Sequence, residues 1–344
     1  MRVGFGGWAA AAFVIFVWGI TFVNTRALLG DFSALEIQVL RFGLAWAVLV
    51  AAGVCKRHAA RRCGYDDGMA GGSHLQGLGG LRDEGLFAAM GFCGVFCYQF
   101  LENCAIYYTN ASNVAILVSF GPVVTALMMR WFRRGAQPAI CKLWVGSAVA
   151  IAGVALISFN NAVVFELRPL GDMMALAAMV SWGVYSVLID RANRKGVPQI
   201  VVIRKTFGWA LVFMLPLAVW GATDSGYVAL DGSFSITLDS AANLTRFVEP
   251  MNWVNFVFLG IFASALCFVL WNVACRSLGV VKTTVGLYFT PIVGVIFAAI
   301  FLGERMTMTS IVGGVLIIFG VAIANWSSHR GSAGVRTLPR GGEE

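Results

Sequence analysis

Long apolar stretches dominate this sequence of 344 residues. Ten of them reach the roughly 20 predominantly apolar residues that a helix needs to cross the hydrocarbon core of a bilayer. They cover residues 8–28, 35–54, 85–106, 112–130, 139–158, 171–190, 199–220, 254–275, 279–301 and 307–326. Only 12% of the residues are charged, whereas a soluble domain has about 25%. The sequence therefore predicts an all-α polytopic membrane protein with ten transmembrane helices, and it excludes a water-soluble globule and a disordered chain.

The basic residues predict how the ten helices are oriented. With both termini in the cytoplasm, 18 Lys and Arg residues fall on the cytoplasmic side and four fall outside, as the positive-inside rule requires. Segment 222–252 has four acidic residues and one arginine, which agrees with an outside position. We therefore expect a multi-pass protein of the plasma (inner) membrane with both termini cytoplasmic. Because the basic clusters are scattered between apolar runs, no nucleic-acid partner is expected.

Residues of the first half of the chain recur in the second half at a nearly constant offset. At offsets of 163 to 169 residues, the matching pairs include Trp18 and Trp182, Arg41 and Arg204, Phe87 and Phe256, Asn103 and Asn272, and Pro122 and Pro291. Each half holds five spans, so the second half must enter the membrane the opposite way up, and a binding site is expected at the interface of the halves near the midplane. The predicted units are a first repeat over 1–160 with a cytoplasmic loop at 56–84, a second repeat over 161–328 with the extracytoplasmic segment 222–252, and a cytoplasmic tail over 329–344.

Four segments carry a resemblance to a known family. They read FVWGITFV, LRFGLAW, LENCAIYYTNASNVAILVSFGPVVTALM and LYFTPIVGVIFAAIFLGERMTMTSIVGGVLIIFGVAI. Over nearly its whole length, the chain resembles the ten-helix EamA type of the drug/metabolite transporter (DMT) superfamily. The last segment is the most specific, since the family typically pairs a mid-helix proline with a Gly-Glu turn and a glycine-rich final helix. The resemblance implies two inverted five-helix repeats and secondary transport, with relatives that export amino acids, related metabolites or drugs and some that import small metabolites.

Two tryptophans and two prolines fall near the midpoints of predicted helices. Proline removes a backbone donor and frees carbonyl groups one turn earlier, and tryptophan combines a large apolar face with an N–H donor. Discontinuities at matching positions of inverted halves point to a binding site. The predicted substrate-binding residues are Trp18, Thr21, Ser119, Pro122, Trp182, Tyr185, Tyr288 and Pro291. The alternative is that the prolines only kink helices and the tryptophans only fill the core.

Three charged residues inside spans are candidates for coupling or gating, because charges in hydrocarbon usually face a partner or a water-filled cavity. Arg41 and Glu102 lie at similar depths, roughly 9 and 6 Å below the outer ends of their helices at 1.5 Å per residue. We expect them to form a pair near the outer mouth. Arg204 is the repeat partner of Arg41, but Trp271 stands at the position that matches Glu102. A static structural salt bridge is the alternative.

Two further polar residues have predicted structural roles. Asn103 and Asn272 are expected to hydrogen-bond between helices, with contact to substrate as the alternative. Glu304 is expected to cap the tenth helix, where a carboxylate favours the helix dipole.

These features predict a secondary active or facilitative transporter that exports a small amphipathic metabolite, such as an amino acid or related compound, by alternating access. Import of a small metabolite in the same fold is the main alternative; a polytopic membrane enzyme, a channel and a receptor are disfavoured. The expected partners are a small-molecule substrate, the lipid bilayer and, as the default coupling ion, protons, with facilitated diffusion as the alternative. A homodimer is left open. No catalytic residues, cofactor or metal are expected, because the three histidines lie outside the spans and the cysteines lack metal-site spacing.

Overall fold

The computed structural model describes residues 5–28, 31–32, 34–62, 81–108, 111–132, 140–158, 168–223, 246–302 and 307–325, and all regular structure within these ranges is helical. The helices are α1 (Phe5–Leu28), α2 (Ala34–Arg62), α3 (81–108), α4 (111–132), α5 (Ile140–Ser158), α6 (Pro169–Arg194), α7 (Gln199–Thr223), α8 (250–278), α9 (280–302) and α10 (Met308–Asn325). Within the described residues, eight of these helices are long and apolar enough to cross a membrane, and α1 and α10 contain the shorter apolar stretches Gly6–Thr21 and Met308–Ala324. The predicted all-α polytopic fold is confirmed. Glu304 and most of segment 222–252 lie outside the described residues.

Helices α3 and α8 both widen into a π-helix in the middle. In α3 the α-helical pieces Leu81–Gly91 and Tyr98–Tyr108 flank a π-helix at Phe92–Cys97. In α8 the pieces Pro250–Val257 and Cys267–Leu278 flank a π-helix at Phe258–Leu266. Moved by the repeat offset of 169 residues, the first π segment falls inside the second. A π-helix disturbs the regular i to i−4 hydrogen-bond ladder and is often found at functional sites.

Helices α4 and α9 are also interrupted at matching positions. The α4 helix consists of Ala111–Val118 and Gly121–Phe132, with a turn at residues 119–120. The α9 helix consists of Val280–Val285 and Thr290–Leu302, joined by a 3₁₀ turn at Gly286–Phe289. Pro122 and Pro291 each stand at the second position of the C-terminal piece. A missing N–H is tolerated there because the first N–H groups of a helix have no partner within it.

The first helix of each half packs on the fourth helix of the other half. A Cβ atom on Gly19 of α1 would lie 2.5 Å from Cγ1 of Val293 in α9, and a Cβ atom on Gly183 of α6 would lie 3.0 Å from Cγ1 of Val124 in α4. Val124 and Val293 are a repeat pair, as are Gly19 and Gly183. The same packing contact is therefore made twice, in opposite orientations, which is the arrangement expected of inverted repeats.

The second and third helices exchange partners in the same way. Helix α2 packs on α8, and α7 packs on α3. We therefore describe two mixed groups of helices, group A (α1, α2, α8 and α9) and group B (α3, α4, α6 and α7). The largest cluster of buried apolar side chains draws on both groups and fills the space between them, and Phe42 of α2 meets Phe207 of α7 there with ring centroids 5.1 Å apart.

Helices α5 and α10 cross at four glycines. A Cβ atom on Gly146 would lie 2.5 Å from the carbonyl oxygen of Gly320, and one on Gly153 would lie 2.5 Å from the carbonyl oxygen of Gly313. Only residues without a side chain allow backbones to approach this closely. At an offset of 167 residues, Gly146 corresponds to Gly313 and Gly153 to Gly320, so the crossing maps onto itself. The pseudo-two-fold axis of the repeat passes through it.

Candidate functional site

Four aromatic side chains meet where group A faces group B. Trp18 and Trp271 come from group A, and Tyr98 and Trp182 come from group B. The Trp18 ring lies 5.2 Å from Trp271 and 6.4 Å from Trp182, Trp182 lies 6.2 Å from Trp271, and Tyr98 lies 5.1 Å from Trp182, all between ring centroids. We call these residues the aromatic cluster. Any relative movement of the two groups must change it.

The two tryptophans related by the repeat differ in their hydrogen bonding. Trp18 Nε1 donates to the carbonyl oxygen of Ala263, at 2.9 Å, within the π-helix of α8. In the other half, Ser181 Oγ donates to the carbonyl oxygen of Cys93, at 2.8 Å, within the π-helix of α3. Trp182 Nε1 is buried and has no hydrogen-bond partner in the part of the chain that the structure describes. Leaving a buried donor unpaired costs about 1–3 kcal/mol, so this N–H is available to a ligand or to water.

Two more buried polar side chains lie on the same helices as Trp182 and Trp271. Tyr185 follows Trp182 by one turn of α6, with ring centroids 5.4 Å apart, and Asn272 directly follows Trp271. Both residues are fully buried. Neither the Tyr185 hydroxyl nor either amide atom of Asn272 has a hydrogen-bond partner among the described residues. The expected helix-to-helix hydrogen bond of Asn272 is therefore wrong for this structure, and the amide is free to meet a ligand.

Arg41 and Glu102 do not form the expected ion pair in this structure. Arg41 Nε donates to Ser264 Oγ at 3.1 Å, and the guanidinium lies 4.9 Å from the ring centroid of Phe42. Glu102 Oε1 accepts a hydrogen bond from the Tyr98 hydroxyl at 3.2 Å. Each charge thus has a polar partner within its own group. Similar depth along two helices does not by itself bring two side chains within ion-pair distance, and in this structure each charge is held by a nearer partner.

The predicted hydroxyl ligands are bound to their own helices. Thr21 Oγ1 donates to the Trp18 carbonyl at 2.6 Å, and Ser119 Oγ donates to the Ile116 carbonyl at 2.5 Å, beside the turn in α4. Such local bonds are usual for hydroxyl side chains in apolar helices. The hydroxyl donors of both residues are therefore already used.

The residues next to the two prolines approach the helices that carry Trp18 and Trp182. A Cβ atom on Gly121, next to Pro122, would lie 3.9 Å from Cδ1 of Trp182. A Cβ atom on Gly19, next to Trp18, would lie 3.2 Å from the carbonyl oxygen of Thr290, the residue before Pro291. Tyr288 packs instead in a second buried cluster with side chains of α5 and α10. Its assignment to the substrate-binding residues stays a prediction.

Arg204 lies on the boundary between the groups at the far end of the bundle from Glu36. A Cβ atom on Gly53 of α2 would lie 3.0 Å from Arg204 Nη1 of α7. The repeat partners Arg41 and Arg204 therefore lie near opposite ends of the bundle, as the inverted topology requires.

Sequence reasoning missed two polar connections at the ends of the bundle. At one end Arg246 forms a buried ion pair with Glu36, at 2.6 Å between Nη2 and Oε1, and Asn252 Nδ2 donates to Asp31 Oδ2 at 2.8 Å. At the other end Lys195 forms an ion pair with Asp83. We call these contacts the Glu36 staple and the Lys195 staple, and we name the two ends of the bundle after them.

The repeat offsets relate the Asp31–Asn252 contact to the Lys195–Asp83 contact, so either one could have been predicted from the other. Asp31 corresponds to Lys195 at an offset of 164, and Asn252 corresponds to Asp83 at 169, so the two hydrogen-bonded pairs occupy equivalent positions. Each staple joins helices of a single group, α2 with α8 or the α6–α7 turn with α3. The staples therefore strengthen the groups and do not connect them.

The described residues include no cluster of three or more His, Cys, Asp or Glu side chains that could hold a metal ion. The aromatic cluster and its surroundings offer a ligand apolar faces, unpaired hydrogen-bond donors and acceptors, and the Glu102 carboxylate.

Comparison with known proteins agrees with this architecture. A solved crystal structure matches 93% of this chain and 96% of its own, with a TM-score of 0.66 at 17% sequence identity, which shows the fold alone. The chain is 30% identical over 249 residues (71% of this chain, 74% of the relative) to a Streptantibioticus cattleyicolor protein named "Probable terminal-alkyne amino-acid exporter". It is 24% identical over 319 residues (91% and 92%) to an Escherichia coli protein named "Probable amino-acid metabolite efflux pump".

The family model described as "EamA-like transporter family" matches residues 6–159 and again residues 169–326, so it covers almost all of the helical bundle. Both matches fall on five-helix halves that exchange packing partners as inverted repeats do. The chain is a multi-pass membrane transporter and belongs to the EamA-like transporter family of the drug/metabolite transporter superfamily.

Proposed function

We propose that this transporter exports a small amphipathic metabolite, such as an amino acid or a related compound, across the plasma membrane by alternating access. The observation that carries the proposal is the aromatic cluster, to which each mixed group contributes two side chains and which lies beside unpaired buried polar atoms. A site built equally from two movable groups can face either side of the membrane in turn. Both termini are proposed to lie in the cytoplasm.

The polar groups around the cluster suit an amphipathic substrate. The tryptophan faces would hold an apolar or aromatic body. On the side toward the Lys195 end, Trp182 Nε1, the Tyr185 hydroxyl and the Asn272 amide would pair with a polar head group. On the other side, Glu102 would take a substrate amine or a coupling proton. The names of the two exporting relatives support an amino-acid-like substrate.

Alternating access would be a movement of group A relative to group B. The Glu36 and Lys195 staples lie within groups and would persist throughout the cycle. Arg41 in group A and Glu102 in group B lie on different groups, so a direct ion pair between them would close the Glu36 end. Their separation in this structure is then the open state of that gate.

Transport by the purified full-length protein in liposomes would test the proposal. Counterflow of labelled phenylalanine and leucine, together with phenethylamine as an amine lacking the carboxylate, should be faster than in protein-free liposomes. Trp182→Ala should reduce it severalfold with normal reconstitution. The proposed site would be contradicted if none of these compounds were transported or if the Trp182 variant were fully active. Accumulation of the substrate inside cells, above its concentration outside, would favour import over export.

A further inference from the structure

A cavity of about 340 Å³ opens at the Lys195 end of the bundle, away from the aromatic cluster. Among the described residues it is lined by Leu86 of α3, by Arg191 and Arg194 of α6, and by Lys195 of the following turn. Three of these four side chains are cations. A cavity with this lining has no evident use in binding the substrate proposed above, and it selects for negative charge.

The carboxylates near this cavity do not cancel its charge. Arg194 Nη2 pairs with Asp190 Oδ2 at 3.0 Å, and Lys195 pairs with Asp83. Arg191 has no carboxylate partner within the described ranges, and its guanidinium carbon lies 5.9 Å from the ring centroid of Phe132 in α4. Arg191 and Arg194 are exposed, so their donors can reach a ligand at the surface. One positive charge is left in excess, and two more can be recruited from their present partners.

The position of the cavity selects the kind of anion. It lies where α6 ends and α3 begins, at the end of the bundle that the proposed orientation places on the cytoplasmic side, and Leu86 and Phe132 supply apolar surface beside the charges. Basic pockets between membrane helices on the cytoplasmic side are suited to anionic lipid head groups. A phosphate there would accept hydrogen bonds from the arginines, while its acyl chains would continue along the apolar helix surfaces.

We propose that this cavity binds the phosphate of an anionic phospholipid of the surrounding membrane. The phosphate accepts hydrogen bonds from Arg191 and Arg194 and shares Lys195 with Asp83. The proposal does not depend on which substrate is transported.

Native mass spectrometry of the full-length protein, released from nanodiscs of phosphatidylcholine with increasing phosphatidylglycerol, measures this binding. The matched variants are Arg191→Gln and Arg194→Gln in the cavity and Arg276→Gln as the control. Arg276 is an exposed cation near the same end of the bundle, in the last turn of α8, and does not line the cavity. Each cavity variant should retain phosphatidylglycerol about fivefold more weakly, because a basic residue near an anionic surface contributes about 1 kcal/mol. The control should retain it as the wild type does.

Three results would overturn the proposal. If Arg276→Gln weakened the retention of phosphatidylglycerol as much as the cavity variants do, general surface charge would explain the binding. Unchanged retention in both cavity variants would remove the cavity from consideration. If soluble glycerol 3-phosphate bound to the protein in pure phosphatidylcholine as strongly as phosphatidylglycerol does, the ligand of the cavity would be a free phosphate ester and not a lipid. Circular dichroism of each variant, matched to wild type, excludes misfolding as the cause of a loss.

Discussion

At the scale of single residues, Trp18 and Trp182 occupy equivalent positions in the repeat but differ in their hydrogen bonding. The N–H of Trp18 is bound to the Ala263 carbonyl, whereas that of Trp182 is unpaired within the described structure. A single chemical change therefore separates structural from binding roles, because phenylalanine retains an aromatic ring and removes the N–H.

We predict that Trp18→Phe lowers the stability of the protein and that Trp182→Phe lowers affinity for the substrate. The first change leaves a buried carbonyl without its donor, a loss of about 1–3 kcal/mol. The second breaks no hydrogen bond in the described structure, so its melting temperature should stay near that of the wild type while KM for transport rises severalfold. Melting curves in detergent and transport kinetics measure the two effects, and the same loss of stability in both variants would contradict this assignment.

Glu102→Gln tests whether the carboxylate acts in transport. The variant keeps an oxygen that accepts the hydrogen bond of Tyr98, but its side-chain amide carries no negative charge and cannot bind and release a proton as the carboxylate can. We expect normal membrane abundance, slower transport, and loss of the dependence of the rate on pH. Replacement of both Arg41 and Glu102 by apolar residues is the control. If this double variant were stable and transported with unchanged pH dependence, the pair would be structural.

The sequence predicted some of these residue roles and not others. The tryptophans could be recognised because equal spacing in both halves relates them, and the prolines because they break helices wherever they stand. The partners of Arg41 and Glu102 could not be recognised, since a long side chain near a helix boundary has several neighbours within reach and only the packed structure selects one. The packing of Tyr288 against α5 and α10 could not be predicted for a related reason: depth along a helix was known, but the direction of the side chain was not.

At the scale of helices, the α5–α10 crossing depends on particular glycines. A Cβ atom on Gly313 would lie 2.6 Å from the carbonyl oxygen of Gly153, whereas one on the next residue, Gly314, would have its nearest neighbour at 4.0 Å, in the Ile292 side chain. The two neighbouring glycines thus form a matched pair of sites, one crowded by backbone and one open.

We predict that Gly313→Ala destabilises the protein and that Gly314→Ala does not. Overpacking a tight contact costs about 1–3 kcal/mol, and the backbone of α5 cannot yield as a flexible side chain could. At Gly314 the higher helix propensity of alanine adds up to about 1 kcal/mol of stability. Thermal unfolding of both variants and of the wild type decides the matter, and equal melting temperatures for the two variants would show that the crossing tolerates a methyl group.

Helix positions were predictable to within a few residues except at the end of α2, which continues to Arg62 and not to residue 54 as predicted. The π-helices of α3 and α8 were not predictable. Twenty apolar residues in a row specify a helix in a bilayer because the backbone has no other way to satisfy its hydrogen bonds. A π segment needs no special residue. It depends on contacts with neighbouring helices, such as those of Trp18 with Ala263 and of Ser181 with Cys93. Those contacts exist only after the helices have exchanged partners.

At the scale of the whole molecule, movement of group A against group B can be distinguished from movement of the two sequence halves. Cysteines replacing Asp31 and Asn252 would be linked within group A, and cysteines replacing Arg41 and Glu102 would be linked between the groups. Both pairs should be introduced after the eight native cysteines have been replaced.

We expect a short bifunctional thiol reagent to leave transport by the Asp31–Asn252 pair nearly intact and to abolish transport by the Arg41–Glu102 pair. The first link duplicates a hydrogen bond that the proposed movement leaves intact, and the second would prevent the groups from separating. Transport before cross-linking serves as the reference for each variant. Inactivation by the first link would place a moving boundary inside group A. The sequence predicted two halves, but not these groups, because a repeat offset does not say where the symmetry axis runs.

The self-matching glycine crossing of α5 and α10 has a consequence for how such a chain could arise. An interface that maps onto itself under a two-fold rotation can be formed by two identical polypeptides, provided that one inserts upside down. A five-helix ancestor without a fixed orientation would have met its own inverted copy along this glycine face. Duplication and fusion of its gene would then let each copy acquire its own distribution of lysine and arginine, and would join the two orientations in one continuous chain.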